Sequence, residues 1–191
     1  MATSAVRESR NGGELTARIW NETRIRVEPI TGVEEGRLVW RAIRSRLPLN
    51  ERQWFLADLG GGSVEVSFAR EDRLVWTESL ALGTVRLLEE LGYDPEAPTA
   101  PLRRLLEEYA AALRGPVQAA GEVEAMIATG GNAEAIADLV GAEPGASGVR
   151  RFGLEELRAV VERLAGLSYR ERMERLNLRE DRADVILPAA I

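Results

Sequence analysis

The sequence predicts an α/β protein in two lobes, a mixed sheet flanked by helices. Three observations lead there. Short apolar runs of strand length alternate with helical stripes along the whole chain. Residues 54–57 form an apolar run that Asp58 closes and Gly60-Gly61-Gly62 turns, before a second run at 64–68. Further on, an apolar segment at 123–129 runs into Gly130-Gly131-Asn132 and then a helical pattern.

In chain order, small residues at 2–5 precede a polar stretch, and Gly12-Gly13 reads as a break. Residues 14–21 predict a short helix burying Leu15 and Ile19. Polar and apolar residues alternate over 24–30, a strand pattern. Thr31-Gly32 turns the chain into a helix burying Leu38, Val39, Ala42 and Ile43, opened by Glu34-Glu35. Acidic residues in a first turn suit the helix dipole, which alone would explain that pair. A linker at 47–50 places the lobe boundary near Pro48, dividing 1–48 from 49–191.

After the triple-glycine turn come a third strand at 74–80, a helix at 84–91 behind Gly83, and a proline-rich loop at 92–101. Leu102, Leu105, Leu106, Tyr109, Ala110 and Leu113 form a helical core stripe. A helix after Gly131 carries Ala133, Ile136, Ala137 and Val140 on one face, and the next buries Leu154, Leu157, Val160, Val161 and Leu164. Residues 169–176 predict a charged, solvated helix. Residues 181–191 predict a final helix burying Ala183, Ile186, Leu187, Ala190 and Ile191; it stops on an apolar residue without a cap, as a chain cut inside its fold would.

Composition narrows the chemistry. The 191 residues hold no cysteine and no histidine, which excludes disulfides, thiolate sites, Ser-His-Asp triads and histidine-ligated zinc. Every basic residue is arginine, so a Walker-type phosphate loop with its lysine is excluded too. Catalysis is left to carboxylates, hydroxyls, arginines, backbone amides or a hard cation. The net charge of −6 argues against a nucleic-acid coat. No run approaches the roughly 18–20 apolar residues of a membrane span, and no leader opens the chain, so a soluble, cytoplasmic protein is expected.

The triple-glycine turn has two readings: an ordinary hairpin turn, or a phosphate cradle built from successive N–H groups, with glycines free to adopt φ > 0. Asp58 before it and Ser63 after it favour phosphate. Asp58 could hold a hydrated divalent cation, and Glu65 lies just past the turn. Gly130-Gly131-Asn132 is a second place where phosphate could meet amides at a helix start, a weaker signal by itself.

Five stretches together resemble the exopolyphosphatase and guanosine pentaphosphate phosphohydrolase (Ppx/GppA) family. They are Ala2-Thr3-Ser4-Ala5-Val6-Arg7-Glu8, Thr31-Gly32-Val33-Glu34-Glu35-Gly36-Arg37-Leu38, the stretch from Asp58 to Glu65, Ala128-Thr129-Gly130-Gly131-Asn132-Ala133, and Asp181-Arg182-Ala183-Asp184-Val185-Ile186. The resemblance implies the ribonuclease H-like, actin-like fold, with 1–48 as the end of its first domain and 49–191 as most of its second. It implies Glu35 as the carboxylate that activates water. It implies Arg7, Gly60, Gly61, Gly62, Ser63, Gly130, Gly131 and Asn132 at the phosphate site, with Asp58 and Glu65 toward Mg²⁺. Hydrolysis of phosphoanhydride bonds in polyphosphate or a guanosine penta- or tetraphosphate follows, in a homodimer when intact. Family members carry a further phosphate-binding turn upstream of the position of Ala2, so weak or no activity is expected of this chain alone. Gly36 stands where the family often has alanine, which should loosen its helix by up to ~1 kcal/mol. A non-catalytic phosphate-binding module is the alternative from another class. An actin-like kinase is a third, which the Thr31–Arg37 motif disfavours.

Overall fold

The computed structural model describes residues 1–49, 53–92, 94, 103–104, 106–108, 111, 123 and 125–191. The sheet has the order β3-β2-β1-β4, with β1 (Gln53–Leu59), β2 (Val64–Arg70) and β3 (Arg73–Leu80) antiparallel in succession. β4 (Ala125–Thr129) lies parallel to β1, so the sheet is mixed, as expected. β1 is central and reads as an unbroken apolar run because it is covered on both faces. Phe55 packs with Val64, Val66 and Phe68 on one side, and Leu56 with Trp40, Ile43, Leu49 and Ala69 on the other.

The second of those faces turns polar at one end. Register aligns Thr129, Asp58, Glu65 and Ser79 in one row across the four strands, and Ser67 beside Thr77 in the next but one. Helix α3 (Gly32–Arg44) lies over these rows. Thr31 caps it, its hydroxyl accepting from the Glu34 amide at 3.2 Å, which contributes about 1 kcal/mol. Gly32 and Gly36 face the sheet so closely that a Cβ at 36 would lie 2.3 Å from Thr77 Oγ1. Gly36 is thus a contact that lets the helix approach; its effect is not the loosening expected from helix propensity alone. Farther along, Trp40 and Ile43 replace the glycines and the contact becomes apolar. Ala42, expected in the core, is exposed because the buried stripe runs through positions 32, 36, 40 and 43.

Before α3 stand α1 (Ser4–Glu8) and α2 (Gly12–Thr23). Gly12 is no break: it starts α2 buried, where a Cβ would meet the Val6 carbonyl at 2.2 Å. Leu15 is exposed and Ile19 only half-buried, against expectation. The predicted strand at 24–30 also fails to form. Its ladder is the single parallel bridge Ala2–Pro29, with no longer partner among the described residues; alternation without a partner does not make a strand.

Beyond the sheet, α4 (Thr84–Glu90), α5 (Gly131–Val140), α6 (Leu154–Ala165), α7 (Tyr169–Leu176), α8 (Glu180–Ala183) and α9 (Ile186–Ala190) follow. The second core gathers Leu87, Leu88, Ile136, Val160, Leu164 and Ile186, among others. Leu106 belongs to it; positions 102, 105, 109, 110 and 113 of its predicted stripe, and most of the loop at 92–101, lie outside the described residues. Leu154, placed in the core by periodicity, is exposed at the first turn of α6. The predicted terminal helix is two short ones, α8 and α9, with the expected side buried. α7 is not simply solvated. Arg172 is fully buried and donates from Nε to the Leu164 carbonyl at 3.1 Å and from Nη1 to the Ala183 carbonyl at 3.0 Å. A helical stripe cannot announce a buried arginine whose partners are backbone carbonyls of other elements.

Candidate active site

The carboxylates of Glu35, Asp58 and Glu65 converge, with one oxygen of each within 4.8 Å of the others. Their convergence follows from register. Asp58 and Glu65 face each other as the last row but one of the β1–β2 hairpin, on the face that α3 covers, and Glu35 sits in the first turn of α3. Neighbours fix two of the three. Thr129 Oγ1 donates to Asp58 Oδ1 at 2.6 Å, and Ser79 Oγ to Glu65 Oε1 at 2.7 Å. Glu65 is 2% exposed.

Burial pushes the Glu35 carboxyl above its ordinary value, and the negative charges of Glu65 and, less, Asp58 push the same way; Arg7 pulls it back. The Arg7 contact is an ion pair at 3.5 Å between Nη1 and Glu35 Oε2. That nitrogen donates its aligned hydrogen bond elsewhere, to the Ile30 carbonyl at 2.8 Å. Glu35 Oε2 is therefore buried without an aligned donor. Three hard oxygen donors at this spacing, one of them so orphaned, fit a divalent cation.

The triple-glycine turn joins the two strands that carry Asp58 and Glu65, as the hairpin reading expects. None of its glycines has a left-handed φ; what requires glycine is crowding. A Cβ at Gly60 would meet the Ser63 carbonyl at 2.8 Å, and one at Gly62 would meet Ser4 Oγ at 2.7 Å. The Gly60 amide closes the turn on the Ser63 carbonyl at 3.1 Å. Among the described residues the amides of Gly61, Gly62 and Ser63 donate to no backbone carbonyl.

The second glycine turn leaves the sheet at the same end, because Asp58 pairs in register with Thr129. Gly130 does have φ of 97°, and a Cβ there would meet the Leu59 carbonyl at 3.0 Å. Gly131 lies against the Arg182 guanidinium. Asn132 is buried, accepts from Arg182 Nη1, and directs Nδ2 to Thr84 Oγ1 at 3.5 Å. The chain thus brings Arg7, Glu35, Asp58, Glu65 and the first turn to one end of the sheet, with Gly130, Gly131 and Asn132 beside them.

Sequence reasoning missed the residues that hold this arrangement. Ser79, Thr129, Ser67 and Thr77 are signalled only by small polar residues on one strand face, opposite Val64, Val66 and Phe68. Gly83 reads in the sequence as a plain helix start, yet a Cβ there would lie 2.3 Å from the Gly61 carbonyl oxygen. Arg86, two residues past the start of α4, carried no signal at all.

The family model of the Ppx/GppA phosphatase family matches residues 1–191. The chain belongs to that family. Relatives include Exopolyphosphatase 1 of Mycobacterium leprae, 31% identical over 196 residues, covering 100% of this chain and 58% of the relative. Exopolyphosphatase 1 of Mycobacterium tuberculosis is 32% identical over 199 residues, covering 100% of this chain and 57% of its own length. Among solved structures, an exopolyphosphatase from Cytophaga hutchinsonii superposes with a TM-score of 0.85 at 26% identity, over 98% of this chain and 63% of that one. The Ppx/GppA family member from Aquifex aeolicus gives 0.77 at 25% identity, over 99% and 62%. The chain spans less than two thirds of each of these Ppx/GppA relatives. The fold is the expected actin-like α/β one.

Proposed function

We propose that this chain supplies the hydrolytic half of an enzyme that cleaves phosphoanhydride bonds by water attack on a terminal phosphoryl group. The observation that carries the reading is the convergence of Glu35, Asp58 and Glu65 at the base of the triple-glycine turn. Glu35 is the base: its carboxylate converges on the strand pair that carries the turn, and burial raises its proton affinity, which suits it to take a proton from water. The free amides of Gly61, Gly62 and Ser63 hold phosphoryl oxygens as charge develops on them, while Gly60 keeps the turn closed. Asp58 and Glu65 hold Mg²⁺, which neutralises charge on the phosphate oxygens when bound. Arg7 exchanges part of its present pairing with Glu8 for a phosphate oxygen, as a fixed fork. Gly130, Gly131 and Asn132 wall the site from the second turn.

The substrate we favour is polyphosphate, after the printed names of the relatives, with a guanosine penta- or tetraphosphate as the competing one. The reaction takes place in the cytoplasm, within a homodimer whose first actin-like domain ends at 1–48 and whose second begins at 49. The 191-residue chain alone turns substrate over more slowly than a full-length protein, as it spans little more than half of its curated relatives.

Replacing Glu35 with Gln in the intact protein tests the assignment. Turnover of polyphosphate falls by about 10²–10⁴-fold while polyphosphate binding persists. Unchanged turnover removes Glu35 as the base. Binding without turnover in the wild-type protein turns the reading into a phosphate-binding module.

A further inference from the structure

Three consecutive peptide groups of the glycine turn are gripped by one helix end. The Thr84 amide donates to the Gly60 carbonyl at 3.1 Å, and the Val85 and Arg86 amides both donate to the Gly61 carbonyl, at 2.9 and 3.1 Å. The third carbonyl, of Gly62, is taken by a side chain: Arg86 Nε donates to it at 2.9 Å. All three peptides are trans. In a trans peptide the C=O of one residue and the N–H of the next point in opposite directions. Anchoring the carbonyls of 60, 61 and 62 on α4 therefore turns the N–H groups of 61, 62 and 63 away from it. These are the three amides without a backbone acceptor among the described residues.

The first two orientations come from the helix backbone and need no particular side chain. The third does not, because the free amides of the first turn of α4 are already spent. We propose that Arg86 is a positioning residue that sets the direction and donor strength of the Ser63 amide. A cationic donor on the Gly62 carbonyl polarises that peptide group, and polarised hydrogen-bond chains strengthen one another. The other end of the guanidinium is fixed as well: Arg86 Nη2 pairs with Glu8, whose second oxygen pairs with Arg7 Nη2 at 3.2 Å. Arg7 in turn lies 3.5 Å from Glu35 Oε2. One charged chain thus links the base to the last amide of the cradle, through Arg7, Glu8 and Arg86.

This inference rests on the phosphate reading of the turn, and the test keeps the two apart. The probe is tripolyphosphate, titrated into the Glu35→Gln protein so that nothing turns over. The readouts are its affinity and the backbone amide resonances of Gly61, Gly62 and Ser63. Arg86→Gln moves the Ser63 amide proton upfield in the free protein, leaves the Gly61 amide in place, and weakens tripolyphosphate binding about tenfold, less than outright loss of an oxyanion donor would cost. Arg86→Lys, which can still reach the carbonyl but cannot hold both partners in a fork, recovers part of the loss. Glu8→Gln, which leaves Arg86 in the chain, gives a smaller shift in the same direction. An unmoved Ser63 amide in Arg86→Gln, or a Ser63 shift no larger than that of Gly61, overturns the role of Arg86. A turn whose amides ignore tripolyphosphate while Arg86→Gln still moves Ser63 overturns the phosphate reading beneath it instead.

Discussion

Replacing Gly32 with Ala perturbs the closest contact between α3 and the sheet. A Cβ there would lie 2.2 Å from Ser79 Oγ, 2.3 Å from Ser79 Cβ and 3.1 Å from Glu65 Oε1. Rotating the serine hydroxyl relieves the first contact but not the second, since Cβ is fixed by the backbone. To reach even the 3.4 Å of an ordinary contact, the start of α3 must retreat by about 1 Å. Overpacking of this kind costs roughly 1–3 kcal/mol. Pulling Ser79 Oγ off the buried Glu65 carboxylate costs up to about 1.5–3 kcal/mol more. A net loss near 3 kcal/mol in urea unfolding is expected. Glu35 rides on the same turn, so a displacement of about 1 Å also lowers phosphate release in the intact protein by roughly 100-fold. Ser79→Gly in the Gly32→Ala background removes the obstructing Cβ and restores part of both losses. A Gly32→Ala protein with wild-type unfolding midpoint and wild-type rate would refute the claim that this contact sets the position of Glu35.

Other outcomes follow from the same contacts. Gly36→Ala should destabilise by about 1 kcal/mol despite the better helix propensity of alanine, and Thr77→Ala should reverse its sign; a double-mutant cycle in urea measures the coupling. Arg172→Leu strips donors from the buried Leu164 and Ala183 carbonyls and should cost about 2–4 kcal/mol by the same method. The Ser168 amide and hydroxyl hold the Glu171 carboxyl below its ordinary value. A depressed carboxylate stabilises the fold above its unfolded pKa, about 4.3, and loses that contribution as pH falls through the lower folded value. Wild type should therefore exceed Glu171→Gln in stability at neutral pH and converge with it in strong acid. Mg²⁺ should raise the melting temperature of the wild-type chain, by ~2.7 kcal/mol of stability at one hundred times its Kd, and do so much less for Asp58→Asn.

Strand–turn–strand and the α5 start were legible because each has a local cause: a run of apolar residues, a glycine pair. The convergence of Glu35 with Asp58 and Glu65 was legible only through the family pattern, since no periodicity places position 35 over positions 58 and 65. What stayed hidden depends on contacts between distant segments. Gly83 looks like any residue before a helix until the Gly61 carbonyl is found against it. Arg172 looks like a solvated charge until two carbonyls surround it. The strand pattern at 24–30 shows the converse failure, a local signal without the partner that would realise it.

Paramagnetic broadening of backbone amides by Mn²⁺, added with tripolyphosphate to the Glu35→Gln chain, tests the central claim most directly. If the carboxylates and the glycine turn form one site, resonances of residues 35, 58, 65 and 61–63 broaden together at the lowest Mn²⁺ additions. Broadening that reaches the carboxylates but spares residues 61–63, or that centres elsewhere, would contradict it.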